Sequence, residues 1–306
     1  MRKSFISTII TECERRDDIV IISGDAGLGV FDQFQVDYPQ RFINLGIAEQ
    51  NMAGFAAGLA MAGFKVYLYN IIPFLLYRCY EQVRNDICYQ NLPIVLVGTG
   101  SGVTYAPAGI SHYAVEDIGL ARTLPNLTVL SPCDPAETAA AASYSLEASG
   151  PVYVRIAKQG EPVANHGAVI DLSTPQVIRE GEQVAIVFHG SIAEEVLAAC
   201  NDLADAGIHP RLVSMPMLQP FNGQGLCAAL DGVAAVLSVE EHFANTGLGA
   251  ILEGIYARQR PAWRLKTLGI DGEQLRQVQD TRGLRAQSGI SAAHIGKAVR
   301  ELWGAR

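Results

Sequence analysis

The stretch RFINLGIAEQNMAGFAAGLAMAG, residues 41–63, places a single acidic residue, Glu49, ahead of a long run of small and apolar residues. Gly54 and Gly58 recur there at helical spacing with several alanines, and such a face lets a second helix approach closely. A carboxylate sealed into an interface of this kind costs free energy unless a partner binds it or a proton neutralises it. An acid in the first turn of a helix is also favoured by the helix dipole, so an ordinary, partly solvated helix start remains an alternative.

Composition limits the kinds of protein that this chain can be. Its 306 residues, 49% of them apolar, suffice for two ordinary domains with their own cores. The formal net charge is −8, and no stripe of Lys and Arg points to nucleic acid as a partner. The longest apolar run, residues 52–64, is shorter than the roughly 20 residues that a membrane-spanning helix needs.

The N-terminus and the cysteines bear on where the protein works. Residues 1–18 lack the apolar core and the cleavage site of a signal peptide. Six cysteines are widely spaced without a C-x-x-C pair, which predicts reduced, mostly buried thiols rather than disulfides or a metal site. We therefore expect a soluble cytoplasmic protein that binds neither a membrane nor nucleic acid.

Short β-branched segments alternate with longer helical segments along the first half of the chain. Predicted strands lie at residues 18–23, 65–70, 93–98, 127–132 and 151–157, and predicted helices near 3–16, 47–63, 74–91, 115–123 and 135–149. This alternation predicts an α/β fold with a parallel sheet that is covered on both faces. The Gly-, Pro- and polar-rich residues 159–183 predict a linker, after which a second alternation predicts a smaller α/β domain.

Three features of the first half have both a functional and a structural explanation. SGDAGLGVF, residues 23–31, is neither a G-x-G-x-x-G nor a Walker sequence, so a strand-end turn explains it better than a phosphate loop. The charges of residues 74–91 fit an amphipathic helix with i,i+3 pairs. His112 stands alone before a predicted helix, where structural histidines are commoner than catalytic ones, and the other histidines show no metal-ligand spacing.

Taken in order, several segments resemble the C-terminal half of transketolase, and the closest pattern is the separate C-terminal subunit of split transketolases. The segments are the initial MRKS, RFINLGIAEQNMAG, FLLYRCYEQVRNDICY, GISHYAVEDIGLARTLPNLTVLSPCDPAET, GPVYVRIAKQ, AGIHPRLVSMPMLQPF and SVEEHFANTGLGA. The resemblance implies a thiamine-diphosphate-binding (pyrimidine-type) parallel-sheet domain in residues 1–165. A linker in 166–182 and a smaller α/β transketolase C-terminal domain in 183–306 would follow it.

The same resemblance gives roles to residues around the expected cofactor, thiamine diphosphate. Glu49 matches the catalytic glutamate, which hydrogen-bonds N1′ of the aminopyrimidine and helps the cofactor to lose its C2 proton. A carboxyl shielded from water would keep the proton that this role needs. Phe74 best matches the aromatic residue that stacks on the pyrimidine, with Tyr77 as the fallback. Arg78 lies at a family-typical position in the same helix, and Asp25 matches an aspartate close to the cofactor.

Three further matches concern the substrate. His112 matches the active-site histidine of the family's DG-x-T-H-Q loop and would move protons to and from donor and acceptor oxygens. Arg2 and Lys158 match cationic positions that hold a sugar phosphate. The family usually has arginine at the second of these positions, and lysine keeps the charge but lacks the bidentate fork of arginine.

The loop around His112 departs from the family at three positions. Ala108 replaces an aspartate that reads the hydroxyl beside the aldehyde, Tyr113 replaces a glutamine, and Gly100 stands where a histidine is common. The loss of these polar partners predicts weaker selection for hydroxyls, or an acceptor that is less polar or bulkier. We therefore expect a specialised pathway rather than housekeeping pentose-phosphate metabolism.

The resemblance also predicts a partner chain. The sequence has no GDG motif followed by the asparagine that holds the magnesium of the diphosphate, so the Mg²⁺ ligands are expected on a second, N-terminal subunit. The expected assembly is a two-plus-two heterotetramer with the cofactor between chains. Its expected activity is the transfer of a two-carbon ketol unit from a ketose (phosphate) donor to an aldehyde acceptor.

Two alternatives remain open on sequence alone. The chain could take part in thiamine-dependent acyl transfer from a 2-oxo acid such as pyruvate, as in deoxyxylulose-phosphate synthases. It could also be a non-catalytic scaffold subunit, which Ala108 and Gly100 favour and the retained Glu49, Phe74 and His112 disfavour.

Overall fold

A computed structural model describes residues 1–158, 163–164 and 169–304 of the chain. In residues 1–158 it contains six strands and six α-helices. The strands are β1 (Ile19–Ser23), β2 (Phe42–Asn44), β3 (Lys65–Ile71), β4 (Ile94–Thr99), β5 (Thr128–Leu130) and β6 (Val152–Ile156). The helices are α1 (Arg2–Cys13), α2 (Asp32–Asp37), α3 (Glu49–Met61), α4 (Tyr80–Gln82), α5 (Asp117–Ala121) and α6 (Pro135–Glu147).

The five strands predicted for this half are confirmed, and two short elements are additional to the prediction. Strand β2 has three residues and α2 has six, which is too short for a periodic pattern to stand out. Helix α6 begins as its sequence suggests. The carboxylate of Asp134 accepts from the backbone N–H of Glu137 at 2.8 Å, and Pro135 occupies the first turn, where its missing N–H costs nothing.

The segment 74–91 differs from the single amphipathic α-helix that its sequence predicts. It consists of two π-helical turns, Pro73–Tyr77 and Val83–Cys88, on either side of the three-residue α4. The backbone N–H of Arg78 accordingly donates to the carbonyl of Pro73, five residues earlier, at 3.1 Å. π-Helical turns are rare and are often found at functional sites.

The second half contains β7 (Gln176–Arg179), β8 (Val184–Phe188), α7 (Ala193–Ala204), β9 (Arg211–Ser214), β10 (Met217–Gln219) and α8 (Gly223–Ala229). It continues with β11 (Ala235–Phe243), α9 (Leu248–Gln259), β12 (Arg264–Ile270), α10 (Thr281–Gln287) and α11 (Ala292–Gly304). Strand β7 lies inside the predicted linker and belongs to the second sheet. Residues 159–162 and 165–168 of the wider predicted linker lie outside the described residues.

Two sheets organise the described chain. The first has the order β10-β5-β6-β4-β3-β1-β2, and all of its pairings are parallel except that of β10 with β5. The second has the order β12-β11-β8-β9-β7 and is parallel except for the pair β7–β9. Strands β1, β4, β6 and β8 are buried along their whole length, as strands covered on both faces are. The predicted α/β fold class is confirmed.

The two halves are joined by buried charged groups. Arg155 of β6 donates through Nε to Asp117 Oδ2 at 2.8 Å and through Nη2 to the carbonyls of Ala114 at 2.8 Å and Glu241 at 3.0 Å. The carboxylate of Glu241 in β11 accepts from the N–H of Val103 at 3.1 Å and from Arg285 at 3.0 Å. Arg155, Asp117 and Glu241 are all at most 1% exposed. Burial of these charges is tolerated because each has an oppositely charged or hydrogen-bonding partner.

These contacts hold the loop that carries His112 at both of its ends. Near its start, Val103 donates to Glu241, and near its end Ile118 donates its N–H to Nε2 of His242 at 3.1 Å. Nδ1 of His242 lies 3.0 Å from the carbonyl of Phe243, so the hydrogen bonds assign a neutral ring with its proton on Nδ1. Burial lowers the pKa of His242, which favours the same neutral form.

Two smaller expectations can be compared with the structure. All six cysteines are free, five of them buried and Cys227 partly so, which confirms the prediction of unpaired, mostly buried thiols. Within the described residues, no helix is long and apolar enough to cross a bilayer.

Replacement of Glu241 with glutamine should strongly destabilise the protein. The amide would direct a donor at Val103 or Arg285 and would remove the fully buried one of the three carboxylates that surround the Arg285 guanidinium. Breaking a buried charge pair typically costs about 3–5 kcal/mol. The free energy of unfolding in urea measures this. Glu301→Gln is the control, because Glu301 pairs with Lys266 on the surface and its loss should matter little. Equal effects of the two changes would contradict the role given to Glu241.

The buried His189 predicts a specific loss of stability in acid. Its Nδ1 lies 2.9 Å from Ser131 Oγ, and burial, reinforced by Arg155, lowers its pKa to about 3. Below its ordinary pKa of about 6.5, the unfolded chain binds a proton that the folded chain does not. This contribution is therefore lost as the pH falls from 6.5 towards 3, at up to about 1.4 kcal/mol per pH unit. His189→Asn should flatten the pH dependence of the unfolding free energy, whereas an unchanged slope would contradict the assignment.

Candidate active site

Most of the predicted site residues follow the ends of neighbouring parallel strands. Asp25 comes after β1, Glu49 after β2, Phe74 after β3, Gly100 after β4 and Lys158 after β6. Parallel strands present their carboxyl ends at one edge of a sheet, and ligands in such folds bind beyond that edge. The sheet therefore gathers residues that are far apart in sequence into one region.

The buried carboxylate of Glu49 has a partner within the chain. Glu49 is the first residue of α3 and is 3% exposed. Nη1 of Arg78 donates to both of its oxygens, at 2.9 and 2.8 Å. The Arg78 side chain is 45% exposed, so the ion pair joins a buried anion to a cation at the surface. The sequence predicts a carboxyl that is sealed from water, and the structure shows it buried and bound by a cation of the same chain.

Helix α3 has one buried and one open face. Its alanines pack on the first sheet, while the opposite face exposes apolar side chains and two glycines with open space where a side chain would be. Ile47, just before the helix, is 77% exposed, Phe55 41% and Met61 68%, and the two glycines are Gly54 and Gly58. The small-residue pattern of the sequence therefore belongs partly to an uncovered surface next to Glu49.

A row of rings and cations extends from Arg78 across the site. The Arg78 guanidinium carbon lies 4.6 Å from the ring centroid of Phe74, and the Phe74 ring meets the His112 ring edge-on at 5.3 Å. The His112 ring also contacts the Tyr105 ring, with 6.0 Å between the ring centroids. Nζ of Lys158 lies over the Tyr105 ring, 4.8 Å from its centroid. Successive contacts thus join five side chains in one row: Arg78, Phe74, His112, Tyr105 and Lys158.

Tyr77 is held differently from Phe74. Its hydroxyl donates to Glu116 Oε2 at 3.0 Å and lies 3.3 Å from the backbone nitrogen of the same residue. Burial, together with the nearby Asp117 and Glu116 charges, raises the pKa of Tyr77 well above its usual value. Tyr77 is thus bound to the segment after His112, and Phe74 is the aromatic residue whose ring contacts both Arg78 and His112.

Asp25 lies in a turn that is tied to the turn before Glu49. Its backbone adopts a φ of 56°, and its N–H donates to the side-chain oxygen of Asn44 at 3.0 Å. The same oxygen accepts from the N–H of Gly46 at 2.9 Å, so one amide holds both turns in register. The neighbouring Gly24 has no room for a side chain, because a Cβ would lie 2.5 Å from Nδ2 of Asn70. The Asp25 carboxylate itself is exposed.

The two predicted phosphate-binding cations lie near two different tyrosines. Lys158 lies over Tyr105, and Arg2 is close enough to the buried Tyr69 to oppose the rise in pKa that burial causes there. Tyr105 lies close enough to Tyr69 to raise the pKa of Tyr69 further. The structure therefore brings Arg2, at the start of α1, towards the sheet edge that bears Lys158.

The three departures from the family pattern have different structural outcomes. Ala108 is exposed, and Tyr113 is 2% exposed in the core of the second half, so Tyr113 fills space rather than offering a substrate contact. Gly100 adopts a φ of 88°, and a Cβ there would collide with the Tyr105 ring. The place of a side chain at position 100 is therefore taken by that ring.

Sequence reasoning missed three residues of this region. Tyr105 fills the space beside Gly100, Glu116 binds Tyr77, and Glu241 holds the loop that contains His112. Tyr105 could have been found from Gly100, because a glycine that replaces a larger residue and is followed by an aromatic residue five positions later suggests that the ring fills the vacant space. Glu241 carried no such signal, because its partners are 138 and 44 residues away in the chain.

Comparison with known families identifies the family of both halves of the chain. The family described as "Transketolase, pyrimidine binding domain" matches residues 1–162, and "Transketolase, C-terminal domain" matches residues 174–280. The chain belongs to the transketolase family. The resemblance drawn from the sequence motifs is confirmed, and the family implies dependence on thiamine diphosphate.

Transketolase relatives match along nearly the whole chain. One subunit of the apulose-4-phosphate transketolase of Actinobacillus succinogenes is 32% identical over 91% of this chain and 90% of its own length. A 1-deoxy-D-xylulose-5-phosphate synthase of Geobacter sulfurreducens is 32% identical over 89% of this chain but only 43% of its own length. A solved structure described as "Split gene transketolase, inactive beta4 tetramer" is 29% identical, with a TM-score of 0.88 over 98% of this chain and 97% of its own. This transketolase chain is therefore of the split-subunit kind and is part of a transferase.

In this transketolase chain, the described residues contain no group of three or more His, Cys, Asp or Glu side chains that could hold a metal ion. The Glu49 region instead offers one buried carboxylate and an aromatic face. Such a pair suits a flat heterocycle with a ring nitrogen, so the residues fit the pyrimidine half of the cofactor.

A double-mutant cycle should reveal that Gly100 and Tyr105 depend on each other. Gly100→Ala adds an unfavourable backbone conformation, about 1–2 kcal/mol, and a collision with the Tyr105 ring, which adds about 1–3 kcal/mol. In a Tyr105→Ala background only the backbone cost remains, so the two effects on the unfolding free energy should be non-additive by at least about 1 kcal/mol. Additive effects would show that the ring does not fill this space.

Proposed function

We propose that this chain is the C-terminal subunit of a thiamine diphosphate-dependent transketolase that transfers a two-carbon ketol unit from a ketose (phosphate) to an aldehyde. The observation that carries the proposal is the meeting of Glu49, Phe74 and His112 at the carboxyl edge of the first sheet. These are the three residues whose roles the family resemblance implies. A relative that is 32% identical is named as one subunit of an apulose-4-phosphate transketolase, which supports a ketose phosphate as donor.

Glu49 and Phe74 would hold the aminopyrimidine of the cofactor. The Glu49 carboxyl would hydrogen-bond N1′, and its burial strengthens that bond by excluding water. Phe74 offers a ring beside this carboxyl, while Tyr77 is engaged by Glu116. When bound, the cofactor supplies a carbon nucleophile that accepts the ketol unit.

His112 would move protons on the substrate oxygens. Nδ1 of its ring lies 3.0 Å from Ser111 Oγ, which orients the imidazole and leaves Nε2 for a substrate hydroxyl or carbonyl. Its partial exposure and its contact with Phe74 put it beside the expected cofactor position. The rigid attachment of its loop to Glu241 and His242 would keep this geometry fixed during turnover.

Lys158 and Arg2 would bind the phosphate of the substrate, and Asp25 would lie near the cofactor. The cation–π contact with Tyr105 holds the Lys158 ammonium at one side of the site. Tyr105 in place of a polar side chain, together with the exposed Ala108, gives the acceptor fewer hydrogen-bonding partners. We therefore propose an acceptor that is selected less by its hydroxyls, in a specialised pathway.

The open face of α3 would bind the partner subunit that carries the diphosphate and Mg²⁺ sites. Exposed Ile47, Phe55 and Met61 surround Gly54 and Gly58 next to Glu49, so a chain docked there would complete the cofactor site. The relative described as an inactive β4 tetramer supports the view that such a subunit assembles alone but without activity. We propose a two-plus-two heterotetramer, and the free thiols are compatible with work in the reducing cytoplasm.

The role of Glu49 can be tested by exchange of the cofactor's C2 proton in the complex with the partner subunit. Glu49→Ala should fold and assemble but should lose about 10²–10⁴-fold in the exchange rate, the usual contribution of a proton-transferring group. Glu81→Ala is the matched control, because Glu81 is an exposed acid of α4 to which no role in the site is given. Unchanged exchange in Glu49→Ala would overturn the proposed role.

Donor chemistry separates ketol transfer from acyl transfer. The complex should convert ketose phosphates and release no carbon dioxide from pyruvate. Release of carbon dioxide would instead support the activity named for the Geobacter sulfurreducens relative. Failure to act on either class, with intact assembly and cofactor binding, would favour a scaffold.

A further inference from the structure

We propose that Arg78 competes with the aminopyrimidine for Glu49 and Phe74, and that cofactor binding exchanges one for the other. The inference rests on the proposed function, because that function assigns these two residues to the pyrimidine. It adds a role for Arg78 as a residue that sets the affinity of the half-site and prevents Glu49 from being left as an unpaired buried charge.

The first observation is the way in which Arg78 engages the carboxylate. One nitrogen, Nη1, lies 2.9 and 2.8 Å from the two oxygens of Glu49. Glu49 is 3% exposed, whereas the Arg78 side chain is 45% exposed, so the guanidinium lies between the carboxylate and solvent. A ring nitrogen that is to hydrogen-bond this carboxyl has to displace at least one of these contacts.

The second observation is the stacking of the same guanidinium on Phe74. Its central carbon lies over the ring, 4.6 Å from the centroid, which is a normal cation–π distance. A group that both hydrogen-bonds Glu49 and covers Phe74 has to lie between them. The guanidinium is planar, donates hydrogen bonds in its plane and stacks through its face, and it already occupies that space. It therefore reproduces both interactions that the aminopyrimidine requires.

The exchange is physically reasonable for each of the three side chains. A buried carboxylate without a partner is costly, and Arg78 provides that partner until the heterocycle arrives. The released guanidinium can be hydrated readily because nearly half of the Arg78 side chain is already exposed. Phe74 would keep a planar partner on its face throughout, because the heterocycle would replace the guanidinium there.

Thiamine diphosphate affinity tests this exchange in the complex of the full chain with its partner subunit, at saturating Mg²⁺. Arg78→Leu keeps an apolar side chain of moderate size but abolishes both contacts. It should lower the dissociation constant measured by titration calorimetry by about three- to tenfold, the scale of a partly exposed ion pair. Arg84→Leu is the matched control, since Arg84 stacks on Tyr89 at 4.7 Å on the same segment and should have no effect.

A conservative variant keeps the proposal falsifiable if Arg78→Leu fails to fold. Arg78→Lys retains a charge for Glu49 but loses the planar stack on Phe74, so its affinity should lie between those of the parent and Arg78→Leu. The affinity gain should also shrink at high salt, because the competing ion pair is screened. A purely structural arginine would not produce this dependence.

The outcomes separate this inference from the proposed function. Cofactor binding by the parent complex, with weaker or unchanged binding in both Arg78 variants, would overturn the exchange and leave the function standing. No binding by the parent or by any variant would overturn both. Tighter binding in Arg84→Leu as well would show that the effect is not specific to Arg78 and would also overturn the exchange.

Discussion

The buried carboxylate of Glu49 is the constraint around which the site is arranged. At 3% exposure it needs a hydrogen-bonding partner, and the chain supplies one from the irregular segment after β3. The same guanidinium lies over Phe74, whose ring contacts His112. Glu49 thus has a partner within the chain, Arg78, and a proposed partner in the assembled enzyme, a ring nitrogen of the cofactor. The two partners exclude each other, because both would bind the Glu49 carboxylate and lie over the Phe74 ring.

A second constraint acts from the C-terminal half. Glu241 and His242 of β11 bind the backbone of the loop that carries His112, and Arg155 joins the two halves through buried hydrogen bonds. The C-terminal half therefore contributes to the candidate site, because it fixes a loop that contains no long regular element of its own. Strand β10 adds to this attachment by pairing with β5 of the first sheet.

Local patterns predicted much of the fold and, with the family resemblance, many of the candidate residues. The strands ending near Asp25, Phe74, Gly100 and Lys158 were visible as β-branched segments, and the helix beginning at Glu49 as a small-residue run. The sheet then brought these residues to one edge, as parallel topology requires.

The remainder depends on contacts between distant parts of the chain, which local patterns do not encode. The π-helical turns after β3 look like an ordinary amphipathic helix in sequence. Tyr105 could be recognised only once its ring was seen in the space beside Gly100. The ion pair of Glu49 with Arg78 joins residues 29 positions apart, and no local pattern indicates that this cation is the partner of the carboxylate.

The most direct test is a crystal structure of the complex between this chain and its diphosphate-binding partner, with thiamine diphosphate and Mg²⁺ bound. The account predicts that N1′ of the pyrimidine lies within hydrogen-bonding distance of the Glu49 carboxyl, that the ring covers Phe74, and that Arg78 has left both. A pyrimidine bound elsewhere, or a Glu49 that remains paired with Arg78 beside the bound cofactor, would contradict it.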